Sequence, residues 1–63
     1  MKERSWRITK GDTYFCGTAG FGTTSRWDTD PRDAVTWHDA PRALSIAASL
    51  GGIAAGITIE EVR

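Results

Sequence analysis

Little in this chain is suited to chemistry. It has one cysteine, Cys16, one histidine, His38, and eight basic residues balanced by eight acidic ones, for a formal net charge of zero. A lone cysteine excludes an intramolecular disulfide and supplies too few ligands for a cysteine-based zinc site. Balanced charge removes the long-range field that steers a protein to phosphates or to an anionic membrane surface. No run approaches the ~18 apolar residues of a membrane-spanning helix, and the opening MKERSWRITK lacks the apolar stretch of a secretion signal. The expectation is a soluble, intracellular (cytoplasmic) protein of a reducing compartment, with no membrane partner.

Sixty-three residues make one domain, spanning 1–63, because a chain this short buries only about 60% of its unfolded surface and cannot support two cores. Domains of this size commonly add a disulfide, a metal or a partner subunit. With a disulfide excluded and no metal site in view, good packing or a homodimer remains. Three tryptophans, one tyrosine and two phenylalanines supply the apolar area.

The hydrophobic pattern describes a small α+β unit: an antiparallel sheet of three to four strands plus a C-terminal strand, with one helix packed on one face. In SWRITK, Trp6 and Ile8 point one way and Arg7 and Thr9 the other. Gly11-Asp12 then turns the chain into TYFCGT, so Ser5–Lys10 and Thr13–Thr18 read as a hairpin. TTSRW is a third strand, DTDPRD a turn around Pro31, and AVTW a short strand. Asp39 stands where a helix N-cap belongs, with Pro41 in the first turn. At 100° per residue, Ala40, Ala43, Leu44, Ala47, Leu50 and Gly51 share a face, which leaves Ile46 off the buried stripe. A stripe so rich in alanine places the helix close to the sheet, beneath bulky side chains such as Trp6, Ile8, Phe15 and Trp37. Gly51-Gly52 ends the helix, with Ile53 packing back on its last turn, and ITIEEV closes the fold with Ile57 and Ile59 inward. The expected order is a meander, a helix across its face, and a last strand.

Each cluster of reactive residue types has a simpler structural reading. Asp28, Asp30, Asp33 and Asp39 start like a calcium loop, but Arg32 stands at the fifth position and Asp33 where glycine makes the sharp turn. Turn and capping duty accounts for all four, and no metal site is expected. Gly17, Gly20 and Gly22 match neither phosphate-binding spacing, so they read as a bulged or flexible connection and no cofactor is expected. Cys16 and His38 contain the elements of a thiolate–imidazolium pair, yet nothing in the sequence orients them. The chain therefore reads as a non-enzyme, with no catalytic residue.

Recognition is the remaining class. Tryptophan and arginine are enriched at interface hot spots, and Arg26, Trp27, Asp30, Arg32 and Arg42 are the candidate partner-binding residues. Trp6, Trp27 and Trp37 with Arg7, Arg26, Arg32 and Arg42 suggest an alternative, a small nucleic-acid-binding module that stacks bases. Each arginine has an aspartate nearby, however, and zero net charge weakens direct nucleic-acid binding.

The run WDTDPRDAVTWHDAPRALSIAASL, with WRITKGDTYF before it and ITIEEV after it, resembles a pattern in small phage- and prophage-encoded proteins. Those chains read hairpin, a W-x-x-D-x-x-x-A-x-x-F-like segment, a capped alanine-rich helix and a β-branched last strand. Trp27, Asp30, Ala34, Trp37, Ala43 and Ala47 match, with Trp37 where phenylalanine is usual; the likeness covers roughly residues 5 to 62. It implies a phage accessory protein that binds and inhibits a bacterial host protein or ribonucleoprotein complex, as anti-CRISPRs do. Balanced charge favours occlusion or locking through an aromatic and polar surface over nucleic-acid mimicry. The resemblance carries over no functional residue.

Overall fold

The computed structural model describes residues 4–19 and 24–62. Five antiparallel strands and one helix appear in chain order: β1 (Ser5–Lys10), β2 (Thr13–Ala19), β3 (Thr24–Asp28), β4 (Thr36–Trp37), α1 (Ala40–Ser49) and β5 (Ile57–Val62). Short 3-10 turns at Pro31–Asp33 and Ile53–Ala55 lead into β4 and β5. The α+β class and the single helix against one sheet face agree with the sequence reading.

The topology differs from a meander. β3 pairs with β2 and β2 with β1, but β4 leaves β3 and returns to β1, placing Trp37 opposite Trp6 and Thr36 opposite Arg7. β5 pairs with β1 over its whole length, from Ser5↔Val62 to Lys10↔Ile57. Because β5 fills one edge of β1, β2 and β4 share the other: β2 lies along its C-terminal half and β4 along its N-terminal half. The short β4 fits because β2 diverges from β1 beyond Thr9↔Tyr14, and the Val35 amide bridges the two segments by donating to the Phe15 carbonyl at 3.0 Å.

A bulge explains part of that divergence. The β2–β3 register slips between Phe15↔Trp27 and Thr18↔Ser25, so Cys16 and Gly17 together oppose Arg26. Gly17 has φ 105°, which a side chain would strain, and an extra residue in one strand bends and twists it. This assigns Gly17 to the bulge; Gly20 and Gly22, the other glycines of that run, lie outside the described residues.

The inner face of the sheet carries the core. Ile8 and Ala43 are fully buried, and Phe15, Ala47 and Ile57 are nearly so; Trp27, Val35, Trp37, Ile46, Leu50 and Ile59 pack around this centre. Phe15 is the aromatic hub, with Trp27 edge-on at 5.6 Å and Trp37 stacked at 6.2 Å. Such pairs add about 0.5–1.5 kcal/mol each beyond the area they bury.

The helix meets the sheet through Ala43, Ile46, Ala47 and Leu50, the i, i+3, i+4, i+7 set. Two expectations are corrected here. Leu44 is 54% exposed, while Ile46 packs against the core. The two candidate stripes share Ala43, Ala47 and Leu50, and the sheet selects between them. Alanines at the line of contact let the helix come close, and the longer Ile46 fills space beside that line.

Ile53 is the second correction. The helix ends as a Schellman motif, with the Gly52 amide on the Ala47 carbonyl at 3.0 Å and the Gly51 amide on Ala48 at 3.2 Å. Gly51 holds φ 133°, and a Cβ there would lie 2.8 Å from that of Ala55. From Gly52 the chain enters the 3-10 turn, which leaves Ile53 88% exposed, and Ile57 closes the core in its place. At the other end of α1, the Asp39 carbonyl accepts from Ala43 at 3.1 Å, but its carboxylate makes no capping bond. A capping side chain bonds the second or third amide of the helix, and Pro41 has removed the second.

Candidate interaction surface

Strand alternation that sends Ile8 to the core sends Arg7 and Thr9 to the opposite face; Trp6 shares the inner side with Ile8 but stays half-buried beside Trp37, outside the core cluster in which the sequence placed it. Cross-strand partners share a face, so Tyr14 on β2, Thr36 on β4, Thr58 and Glu60 on β5, and Asp28 on β3 join Arg7 and Thr9. Arg26, two positions before Asp28, completes the row. None of these side chains is fully buried, and among the described residues no helix lies over them.

The centre of this outer face is ordered by charge. The Arg7 guanidinium lies 4.6 Å from the centroid of the Tyr14 ring, and its Nε donates to Glu60 Oε1. The Arg7 side chain is 20% exposed and that of Glu60 44%, so the pair is held against the sheet and still reaches solvent. A partly exposed cation–π contact and an exposed ion pair each contribute up to about 1 kcal/mol. Their larger effect is to fix an arginine, a phenol ring and a carboxylate in one arrangement, which lowers the entropy lost on binding a partner. Flanking them, Arg26 and Asp28 are exposed on β3, and Thr36 and Thr58 are exposed on β4 and β5.

The five candidates read from the sequence do not converge on one patch. Arg26 lies on the outer face. Trp27, its neighbour, points inward, half-buried against Phe15 with the Lys10 ammonium 5.5 Å from its ring. Asp30 and Arg32 form a local unit at the end of β3: the Arg32 amide donates to Asp30 Oδ1 at 2.9 Å and its guanidinium bonds both carboxylate oxygens at 3.2 Å. Those bonds, from the Arg32 side chain first and its amide second, hold the Asp30 carboxyl below its usual range. Arg42 is exposed on the helix.

The other reactive types have structural partners. Asp28 Oδ1 accepts from the Asp30 amide at 3.2 Å, so Asp28 and Asp30 both brace the turn. Among the described residues, no group of three or more histidine, cysteine or acidic side chains is placed to hold a metal ion. Cys16 Sγ donates to the Tyr14 carbonyl at 3.2 Å. His38 Nδ1 lies 3.4 Å from Ser5 Oγ and 3.3 Å from the Arg4 carbonyl, at an exposed position. Among the described residues, no helix is long and apolar enough to cross a membrane.

The sequence reading missed Tyr14 and Glu60, and named Arg7 only among the arginines of the nucleic-acid alternative. Alternation in SWRITK and ITIEEV already turned Arg7 and Glu60 away from the core, but only the pairing of β5 with β1 brings Glu60 opposite Arg7. The fold and this surface define a class, a one-helix antiparallel α+β domain with one open sheet face. Comparison with protein-family models, curated proteins and solved structures finds no match to the chain.

Proposed function

We propose that this chain is a non-catalytic binding domain that recognises a bacterial host protein or ribonucleoprotein complex through its outer sheet face. In its sharpest form this is a phage anti-defence inhibitor of the anti-CRISPR kind. What supports the binding role is the pre-ordered Arg7–Tyr14–Glu60 cluster on an uncovered face, with exposed Arg26 and Asp28 beside it. Arginine and tyrosine are the side chains that dominate interface energetics. Both charge signs are present, which suits a polar protein surface better than a phosphate backbone. The phage and anti-defence assignment rests on the resemblance of residues 5 to 62 to small phage proteins.

The test is expression in bacteria with active CRISPR immunity, scored as survival of a targeted phage. Rescue by the native chain and its loss in Tyr14→Ala and Arg26→Glu, with the fold intact by circular dichroism, is the expected result. No rescue against any CRISPR type would remove the anti-CRISPR reading. Equal rescue by all three chains would remove the outer face as its surface. The alternative, a nucleic-acid module, has less support because Trp27 and Trp37 are half-buried and packed on Phe15, which leaves less of each ring for base stacking. Binding to single-stranded oligonucleotides that falls steeply with salt would favour it.

A further inference from the structure

The two lateral edges of the sheet are built differently. β3 is short, carries the exposed charges Arg26 and Asp28, pairs with β2 across a bulge, and runs into Asp30-Pro31. Charges, bulges and proline are the usual devices that keep an edge from pairing with another chain. β5 has neither proline nor bulge: its six residues pair with β1 in unbroken register, its charges are confined to Glu60 and Glu61, and no other described strand pairs with it. No charged residue lies between Arg42 and Glu60, and the carboxylates of Glu60 and Glu61 are engaged by Arg7 and Arg4 of the same chain.

The direction of the open hydrogen-bonding groups follows from the hairpin. A two-residue turn makes its flanking pair, Lys10 and Thr13, exchange both backbone bonds. Alternation then aims the backbone groups of Trp6, Ile8 and Lys10 at β2 and β4, and those of Ser5, Arg7 and Thr9 at β5. On β5, Thr58, Glu60 and Val62 face β1, and Ile57, Ile59 and Glu61 face outward. The Ile57 amide agrees, since it donates to the Gly52 carbonyl at 3.0 Å instead of to β1.

We propose that the open edge of β5 pairs with β5 of a second copy of this chain, antiparallel and centred on Ile59. In this register each Ile59 exchanges two backbone bonds with its counterpart, and each Glu61 amide donates to the Ile57 carbonyl across the axis. Thr58 falls opposite Glu60 and no carboxylate meets another. Centring on Glu60 or Glu61 instead would set like charges directly opposite, which is destabilising. The register is thus selected by backbone direction and by charge. Ile59, only partly covered at the rim of the core, would meet its twin and bury apolar area that this small core lacks. The two sheets become one, with both helices on the same side and both outer faces open, so the pairing is independent of the binding role proposed above.

Sedimentation velocity across about 1–200 µM, the range of a transient interface, tests this. The native chain should sediment as a dimer at the upper end. Ile59→Lys should be monomeric throughout. Glu61→Pro, which removes an outward amide and no bond to β1, should weaken association at least tenfold. Thr24→Lys on the β3 edge should leave it unchanged. If either β5 variant loses its circular dichroism, amide exchange in the native chain decides: Ile59 and Glu61 should slow with rising concentration while Gly11 does not. A native monomer at every concentration, a dimer unaffected by both β5 substitutions, exchange at Ile59 and Glu61 that does not respond to concentration, or a dimer lost in Thr24→Lys would overturn the proposal.

Discussion

The inner and outer faces of the sheet are written by alternate residues of the same strands, yet they are held by different forces. Inside, Ile8, Phe15 and Ile57 exclude water, and removing a side chain leaves a cavity that a 63-residue chain cannot refill. Outside, Arg7, Tyr14 and Glu60 hold each other by charge, and water can replace most of what a substitution removes. The difference separates packing that excludes water from charge that orders a surface. The inner face sets whether the chain folds, and the proposed binding role falls on the face held by the weaker, solvent-exposed interactions.

That contrast can be broken most forcefully at Ile8. Ile8→Ala should cost about 2–5 kcal/mol, as other core isoleucine truncations do, and a small domain has little stability beyond that; chemical denaturation would show partial or complete unfolding at 25 °C. An equally large loss from Tyr14→Ala would erase the distinction between the faces. Next in size is the helix stop. Gly51→Ala brings both an unfavourable positive φ and a 2.8 Å approach to the Ala55 Cβ, and about 1–3 kcal/mol of destabilisation should follow in thermal melts.

A smaller effect sharpens the outer face. A double-mutant cycle with Arg7→Ala and Glu60→Ala should give a coupling of about 0.2–1 kcal/mol that shrinks in high salt. A coupling several times larger would make the cluster a stability element. On the helix, Leu44→Ser should change stability by about 0.5 kcal/mol or less, against more than about 1 kcal/mol for Ile46→Ser. Melting curves of the two variants compare the stripe read from the sequence with the one the sheet selects.

The smallest expected effect is acid-dependent. Asp30 is held below its ordinary 3.8 by Arg32. Its contribution to folding is present above the unfolded value and is lost as pH falls through the lower folded value. Because Asp30 and Arg32 meet at the surface, the loss should be slight and should vanish in Asp30→Asn; NMR titration of the carboxyl checks both the direction and the link to Arg32.

Much of the fold was legible because local rules act over a few residues. Alternation marked β1 and β5, Gly11-Asp12 marked the hairpin turn, Pro31 the break after β3, and Gly51-Gly52 the helix end. The candidate site was less legible. Arg26 was located on an exposed strand, but Trp27 beside it is drawn inward by Phe15, and the Arg7–Tyr14–Glu60 cluster joins residues from three strands.

By itself the sequence determined which segments extend, where they turn, and which side of each strand is apolar, because those depend on neighbours two to four positions away. Tertiary structure alone decided that β4 returns to β1, that Ile46 and not Leu44 meets the sheet, that Ile53 stands in solvent, and that β5 ends the sheet as an open edge. These outcomes depend on which surfaces pack most closely in the folded chain, and helix stripes that share three of their positions differ only in the partner they are given.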